Sequence, residues 1–459
     1  MVFGKRRSRM KYLSILRQIT SLLFILFLAV SSSSAMQKNE KPICLYNTVI
    51  IDGNGGVPFD NGAVVIRGRR IEAVGVMNDL KIPPDARMIN MKGKTVMPGL
   101  ADMHVHLCGG WDGTSVDFLG YQRYLNSLLY SGVTTVLDLG NNLDYILQLR
   151  QEVEAGRILG PRIYCAGPII NGADPGWPSI SYALSSRYQI PKLIGHLKRA
   201  DVDVVKVYTG LSHQMVDILA NAAKQESMRV FVHSSSLELL ECGIAAYAHM
   251  FKEDVPDDFV KAMRRNKTHC ITTLAVAESG IARRFADLSY LEDSLVKDTT
   301  PPWFLKDLKS WVKHKVRPQE SSRAENSGSI QTLKQAQKNT KRLFDAGILL
   351  SAGTDAPYPG VFMGEGIHRE LELLVEAGLT PLEAITVATK NAALLMEDAD
   401  EWGTLAKGKL ANVLVVNGRP DKAISQTRNV DIVILQGKIL DRKQLKFDEK
   451  KDPGFQAIK

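Results

Sequence analysis

Eight short apolar runs, most of them separated by helical patterns, restrict what the middle of this chain can fold into. Each run is almost continuously hydrophobic, as strands buried on both faces of a parallel sheet should be. Strand and helix alternating eight times predict an α/β fold, a (β/α)8 TIM barrel. An open doubly wound sheet is the alternative, but no glycine-rich GxGxxG sequence follows the first run. The runs are residues 95–107, 132–140, 162–170, 202–210, 228–236, 245–250, 269–276 and 348–355.

Both ends of the chain carry a second pattern, short β-rich runs separated by Gly and Asp turn signals. One set occupies residues 42–75, and matching runs occur at 410–418 and 430–440. The simplest arrangement is a small β-sandwich domain built from both chain ends beside the barrel. The predicted units are a signal peptide at 1–35, the N-terminal segment of the sandwich at 36–97, the barrel at 98–402, and the C-terminal segment of the sandwich with the tail at 403–459.

The seventh and eighth runs are unusually far apart. Residues 277–328 between them are charged and aromatic. Long insertions after a barrel strand tend to be lids or binding loops. A surface excursion without defined structure is the other interpretation, and the sequence favours neither.

The formal net charge of +9 is concentrated at the N-terminus. Residues 1–35 hold six of the 58 basic side chains and no acidic one, so the remaining chain has 52 basic residues against 49 acidic ones. This near-balance argues against nucleic acid as a partner. The basic start precedes the apolar stretch LLFILFLAV and the small residues SSSSA, which predict a secretory signal peptide cut after Ala35. We therefore expect a periplasmic or secreted protein; an uncleaved membrane anchor is the alternative.

Cysteines are few and scattered, without CxxC spacing. Most lie in apolar runs, and an odd number cannot all pair within one chain. We therefore expect buried free thiols at Cys44, Cys108, Cys165, Cys242 and Cys270.

His104 and His106 end the first apolar run. Side chains alternate along a strand, so both imidazoles should point to one side and Val105 to the other. Two neutral imidazoles at a strand end can form half of a metal site, although a surface pair is the ordinary alternative.

Four further side chains of metal-binding character fall in later runs. Taken singly, Lys206 could pair with a carboxylate, and Asp355 could cap a helix. His233 and His249 could be hydrogen-bonded core residues. Burial should lower the pKa of an unpaired Lys206 toward the neutral amine, which can add carbon dioxide to form a carbamate. All of these positions fall at the carboxyl ends of predicted barrel strands, the face where barrel enzymes place their sites, so together they predict a metal centre.

These sequences resemble the amidohydrolase superfamily, in the branch that contains imidazolonepropionase-like proteins, prolidase-like Xaa-Pro dipeptidases and acyl-amino-acid carboxypeptidases. The resemblance covers about residues 42–440, nearly all of the chain after the predicted signal peptide. The segments that carry it are PGLADMHVHL, VKVYTG, FVHSSS, the end of the His249 run, SAGTDAP, HRELELLVEAGLTPLEAITVATKNAALLM and GTLAKGKLANVLVV.

The resemblance implies a centre of two divalent metal ions. A carboxylated Lys206 would bridge both ions, together with a hydroxide. Zinc is the expected metal, although Co²⁺, Mn²⁺ and Fe²⁺ suit the same ligands. Asp355 would also accept the proton of the hydroxide and pass it to the leaving nitrogen, so Asp355 and Lys206 are the expected catalytic residues. One ion would be held by His104, His106 and Asp355, and the other by His233 and His249.

Substrate contacts are expected from the loops above the strands. Relatives often carry Gly-Gly-His after the third strand, whereas this chain reads NGADPGWPSIS from residue 171. We expect Asn171 and Trp177 of this loop, and Tyr208 beside Lys206, to contact the substrate; core packing is the alternative for Tyr208. Asn412 stands where an Asp is common in relatives, which should affect only the small sandwich.

The remaining histidines are given no role in the site. His314 and His368 have no supporting partners and are expected at the surface. His196 and His213 lie in polar helical patterns, and His269 begins a strand at the wrong end.

The predicted function is an exported metal-dependent hydrolase that cleaves an amide-type C–N bond in a small molecule. Candidate substrates are an N-acyl amino acid, an Xaa-Pro-like dipeptide or a cyclic amide. A mononuclear deaminase on the same barrel is one alternative, but it would need a Glu soon after His233, and Glu238 comes five residues later. A non-catalytic binding protein is another, although no ligand position is lost. We expect no nucleic-acid partner and membrane contact only through an uncleaved signal peptide; a homo-oligomer is compatible with the sequence.

Overall fold

The structure is a computed structural model that describes residues 41–316 and 327–452. The predicted signal peptide therefore lies outside the described residues, as do residues 317–326 of the insertion and the last seven residues. No helix in the described ranges combines the length and the apolar character needed to cross a bilayer.

The N-terminal strands pair with one another in a mixed sheet. β1 pairs antiparallel with β2 and parallel with β4 and β5, and β2 pairs antiparallel with β3. Valine and isoleucine are the commonest residues at their buried positions, because β-branched side chains pack well on a pleated surface. The strands are β1 (Ile43–Ile50), β2 (Phe59–Arg67), β3 (Arg70–Val76), β4 (Arg87–Asn90) and β5 (Lys94–Pro98).

Ten parallel strands follow, in two sheets. One sheet has the order β6-β7-β8, and the other the order β10-β9-β11-β12-β13-β14-β15. Every residue of β6 and β7 is buried, as predicted for strands covered on both faces. The strands are β6 (Leu100–Val105), β7 (Val133–Asp138), β8 (Arg162–Cys165), β9 (Ile169–Asn171), β10 (Ser181–Ala183), β11 (Val205–Val207), β12 (Val230–Val232), β13 (Ala246–Tyr247), β14 (His269–Ile271) and β15 (Leu350–Ser351).

Backbone hydrogen bonds connect the edges of these two sheets. The amide of Met103 donates to the carbonyl of Ala352 over 2.9 Å, which places β6 beside β15. The amide of Asp203 donates to the carbonyl of Cys165 over 2.9 Å, which places β8 beside the residues leading into β11. This α/β arrangement of parallel strands is consistent with the predicted barrel. An apolar cluster between the strands includes Ala101, Met103, Leu137, Leu139, Val204, Phe231, Ala246, Ala248 and Ile271.

The first predicted strand, residues 95–107, is in fact two strands that separate at Gly99. β5 belongs to the sheet of the chain ends, whereas β6 belongs to the parallel sheet. Gly99 passes so close to β7 that a Cβ on it would lie 2.3 Å from the hydroxyl oxygen of Thr134. The apolar pattern did not show this break because the residues on both sides of Gly99 are buried.

Helices separate most of the parallel strands. Ser212 caps α4 by accepting a hydrogen bond from the amide of Met215, and Thr380 and Glu383 form a capping box at α11. The helices are α1 (Tyr121–Tyr130), α2 (Leu143–Glu154), α3 (Ile190–Arg199), α4 (His213–Gln225), α5 (Asp257–Asn266), α6 (Leu274–Gly280), α7 (Ser294–Lys297), α8 (Pro302–Trp311), α9 (Ser327–Asp345), α10 (Glu365–Glu376), α11 (Pro381–Val387) and α12 (Lys390–Leu395).

Three C-terminal strands complete the first sheet: β16 (Val413–Asn417), β17 (Val430–Leu435) and β18 (Lys438–Ile439). The strand order is β18-β17-β16-β5-β1-β2-β3, with β4 paired to β1. The two chain ends therefore meet in one eight-stranded sheet, in line with the prediction that both ends contribute to one β-rich unit. The description of this unit as a sandwich stays a prediction.

The described part of the insertion is folded. It contains α7, α8 and a π-helical turn at Val312–Val316, and it begins within α6. An excursion without structure is therefore the wrong interpretation for residues 277–316. Their own apolar cluster consists of Phe285, Leu291, Val296, Leu308, Val312 and Val316.

A buried carboxylate ties this insertion to the rest of the protein. Glu365, at the start of α10, is fully buried, and its Oε1 lies 2.7 Å from the guanidinium of Arg284 and 2.8 Å from that of Arg428. Burial alone would raise the pKa of Glu365, but the two guanidinium charges lower it to about 2. The ionised carboxylate therefore joins the insertion, α10 and the segment before β17.

Replacement of Glu365 by Gln should destabilise the fold, because two buried guanidinium groups would lose their common counter-charge. We expect a loss of about 3–5 kcal/mol in the free energy of unfolding, measured by urea denaturation. Glu292→Gln is the matched control, since Glu292 also bridges two cations, Lys297 and Lys309, but is 60% exposed. A Glu365 variant as stable as the Glu292 variant would contradict the structural role.

Candidate metal centre

Two histidines at the end of β6 are held by backbone carbonyls behind them. His104 Nδ1 lies 2.9 Å from the carbonyl oxygen of Ala248, and His106 Nδ1 lies 3.0 Å from that of Gly140. A carbonyl can only accept, so both Nδ1 atoms carry a proton, and Nε2 is the atom of each ring that is left to bind a metal ion. His104 is buried, and His106 is slightly more accessible.

Both Nε2 atoms face one carboxylate oxygen. Asp355 Oδ1 lies 3.0 Å from His106 Nε2 and 3.2 Å from His104 Nε2. Asp355 follows β15 with a positive φ of 61°, and its amide donates to the carbonyl of His104 over 2.7 Å. Burial would raise the pKa of Asp355, but the neighbouring His104 and His106 hold it well below its usual value. The carboxylate is therefore ionised.

His233 and His249 form a second pair beside the first. His249 Nε2 lies 2.7 Å from His233 Nδ1, and His249 Nδ1 lies 2.9 Å from the hydroxyl oxygen of Thr273. Burial lowers the pKa of His233 to about 3 and that of His249 well below its usual value. Both rings are therefore neutral at physiological pH, the form in which imidazole binds metal ions.

Lys206 lies in β11 between two valines that pack outward into the main core. Its side chain is only 1% exposed, and its ammonium nitrogen has no hydrogen-bond partner in the described part of the chain. Burial lowers the pKa of Lys206 to about 7, and the charge of Asp355 opposes this only partly. An amine that is buried without a hydrogen-bond partner destabilises the fold, so we expect a bound group to supply the missing partner.

The structure brings these side chains together. One ligand atom each of His104, His249 and Asp355 lies within 4.8 Å of the others, a spacing suited to a shared metal ion. Asp355, His106, His233 and His249 also line a cavity of about 400 Å³. Neutral imidazoles, one carboxylate and an orphaned amine are a donor set that fits divalent ions.

The three expected substrate contacts have different positions. Trp177 and Tyr208 both line the cavity, with their rings stacked at a centroid distance of 5.8 Å. Asn171 does not line the cavity as the structure describes it: it is buried, its amide donates to Ser181, and its oxygen accepts from the hydroxyl of Thr209. Asn171 therefore supports the neighbouring loops rather than facing the cavity.

Three buried carboxylates behind the ligands were missed in the sequence. Asp138 accepts hydrogen bonds from the amides of Leu107 and Gly140, which fixes the carbonyl that holds His106. Asp102 accepts from the amide of Thr354, next to Asp355. An acidic residue inside an otherwise apolar strand was the available signal for both.

The third carboxylate, Glu370, lies on α10. It accepts hydrogen bonds from the hydroxyl of Thr272, which precedes Thr273, and from the amides of Leu274 and Ala275, which follow it. It therefore holds the turn whose hydroxyl contacts His249. The amphipathic pattern of α10 gave no signal for this role, since Glu is common on such helices.

The structure also tests the predicted burial of the histidines and cysteines that were given no role in the site. The prediction of a surface His368 is wrong: the ring is fully buried, between the hydroxyl of Thr427 and the carbonyl of Ser131. The sequence missed this because His368 faces the core side of α10. His314 is exposed, and all five cysteines are buried and free, as predicted.

Comparison with known proteins identifies the family. The model of the amidohydrolase family matches residues 95–440. The chain belongs to the amidohydrolase family. Membership makes it a hydrolase of carbon–nitrogen bonds, in a family whose members generally use divalent metal ions.

Individual relatives of this amidohydrolase are distant. It is 23% identical to the imidazolonepropionase of Geobacillus kaustophilus, over 79% of this chain and 84% of the relative. It is also 23% identical to the ochratoxinase of Aspergillus niger, over 84% of this chain and 83% of the relative. A solved structure of a Xaa-Pro dipeptidase with bound methionine superposes with a TM-score of 0.70 at 21% identity, covering 87% of this chain and 100% of that one. The structural likeness shows a shared fold.

The hydroxyl of Thr273 should be needed to orient His249. Thr273→Val keeps the shape but removes the acceptor for His249 Nδ1, so we expect the affinity for Zn²⁺ to fall about 10–100-fold, measured by chelator competition. Thr273→Ser, which keeps the hydroxyl, should retain the affinity. Equal affinities in the two variants would show that the contact does not orient the ring.

Proposed function

We propose that this amidohydrolase is a binuclear metal-dependent enzyme that hydrolyses an amide-type C–N bond in a small molecule. The observation that carries the proposal is the convergence of imidazoles and an ionised carboxylate at one cavity, together with the unpartnered buried amine of Lys206, which interacts electrostatically with Asp355 and His233. Zinc is the proposed metal, since imidazole and carboxylate ligands suit it.

Lys206 is the residue that would link two ion sites. Its neutral amine can form an N–C bond with carbon dioxide and release a proton, which gives a carbamate with two oxygen ligands. The carbamate would also satisfy the buried nitrogen that has no partner among the described residues. His104, His106 and Asp355 would hold one ion, and His233 and His249 the other.

The ions, when bound, lower the pKa of a water molecule and polarise the scissile carbonyl. Asp355 performs the proton transfer. Its ionised carboxylate accepts the proton of the attacking water and returns it to the leaving nitrogen. The backbone hydrogen bond from Asp355 to His104 places the carboxylate where it can do both.

The cavity suits a small substrate. Its volume of about 400 Å³ is typical of sites for small molecules, and Trp177 and Tyr208 provide a flat wall. An N-acyl amino acid, an Xaa-Pro-like dipeptide and a cyclic amide are the proposed candidates. The names of the imidazolonepropionase and dipeptidase relatives support this range.

The proposal also covers the overall architecture of the enzyme and its location in the cell. We propose that the parallel strands form a closed (β/α)8 barrel flanked by a small β-sandwich, which the backbone links between β6 and β15 support. Export to the periplasm or the outside rests on residues 1–35 of the sequence alone.

Asp355→Asn tests the function. The metal-loaded wild type should hydrolyse members of a panel of N-acyl amino acids, dipeptides and cyclic amides. The variant should lose about 100-fold or more in kcat with little change in KM, because Asn cannot carry the proton. Asp144→Asn, at an exposed position on α2, is the matched control. Metal content is measured in all three proteins, and an unchanged kcat in a fully loaded Asp355 variant would remove Asp355 from the mechanism.

A further inference from the structure

Two formally charged side chains line the cavity within the described chain: Asp355 and Lys252. Asp355 is committed to His104 and His106. Lys252 follows His249 by three residues, so it lies at the mouth of the same strand that carries a proposed metal ligand. Lys252 is an exposed residue that lines the cavity.

Lys252 has no carboxylate within ion-pair distance among the residues that the structure describes. The nearby Asp254 is already shared by Lys338 and Arg342. The ammonium group is therefore available to an anion that enters the cavity.

A buried side chain of α9 holds the backbone on both sides of Lys252. Asn339 of α9 is fully buried, and its amide nitrogen donates to the carbonyl of Phe251 over 2.9 Å and to that of Glu253 over 2.7 Å. These two bonds fix the residues on both sides of Lys252.

We infer that Lys252 binds a carboxylate of the substrate and thereby selects an N-acyl amino acid or a dipeptide over a neutral cyclic amide. A charge-assisted hydrogen bond from an ammonium to a carboxylate is about twice as strong as one between neutral groups. Met250, Val276 and Ala277 line the same cavity and would contact the apolar portion of such a substrate. The inference rests on the proposed amide hydrolysis.

The test compares substrates that differ only in the carboxylate. N-Benzoyl-L-leucine and N-benzoyl-L-leucinol share the amide bond and the side chain, but the second has a neutral alcohol. The wild type should prefer the acid by about tenfold or more in kcat/KM, and Lys252→Met should remove that preference through KM alone. Lys252→Arg should keep it. Lys224→Met, which removes an exposed lysine far along α4, should behave as the wild type.

Binding without turnover separates this inference from the proposed function. N-Benzenesulfonyl-L-leucine and N-benzenesulfonyl-L-leucinol have a sulfonyl group in place of the scissile carbonyl, which resists hydrolysis and leaves the nitrogen neutral, and calorimetry gives their affinities. If neither benzoyl compound is hydrolysed, the proposed function loses support, while tighter binding of the acid that disappears in Lys252→Met still supports the role of Lys252. Equal affinity of the two compounds, no binding of either, or a preference that survives in Lys252→Met would overturn the inference.

Discussion

The ends of two strands, β6 and β15, meet at the site on which the proposed chemistry depends. Asp355 Oδ1 lies 3.0 Å from Nε2 of His106 and 3.2 Å from Nε2 of His104, so the end of β15 lies against the end of β6. The backbone supports the same junction, because the amide of Asp355 donates to the carbonyl of His104 and Asp102 accepts from the amide of Thr354. A slip of one residue in β6 would turn both imidazoles to the other face. The register of these strands and the geometry of the site are therefore one constraint.

Burial then determines the chemical state of the site. It lowers the pKa values of His233 and His249, so both rings stay neutral, and it lowers the pKa of Lys206 to about 7, so an amine that would be charged in water can lose its proton. The cost of burying His249 is offset by its hydrogen bond to Thr273. The buried amine of Lys206 has no such partner in the described chain. That imbalance is the strongest physical argument for a modified lysine at this position.

The side chains of the candidate metal centre could be predicted from the sequence because most of them lie at the ends of apolar runs, and parallel strands end at a common edge. The amidohydrolase family was predicted from its resemblance to whole segments such as PGLADMHVHL, and the joining of the two chain ends was predicted from their matching β-rich runs. The break at Gly99 and the burial of His368 were not, since they depend on contacts with Thr134 and Ser131 from distant regions of the chain. The role of Glu370 behind His249 was not predicted for a related reason, because hydrogen bonds between distant residues produce no periodic pattern in a sequence.

The central claim is that Lys206 completes a centre of two metal ions. Its most direct test is the metal content per chain, by elemental analysis of wild type and Lys206→Ala purified with bicarbonate and without chelators. The account predicts about two equivalents of divalent metal in the wild type and at least one fewer in the variant, because the bridging ligand is lost. One equivalent or none in the wild type, or two in the variant, would contradict it.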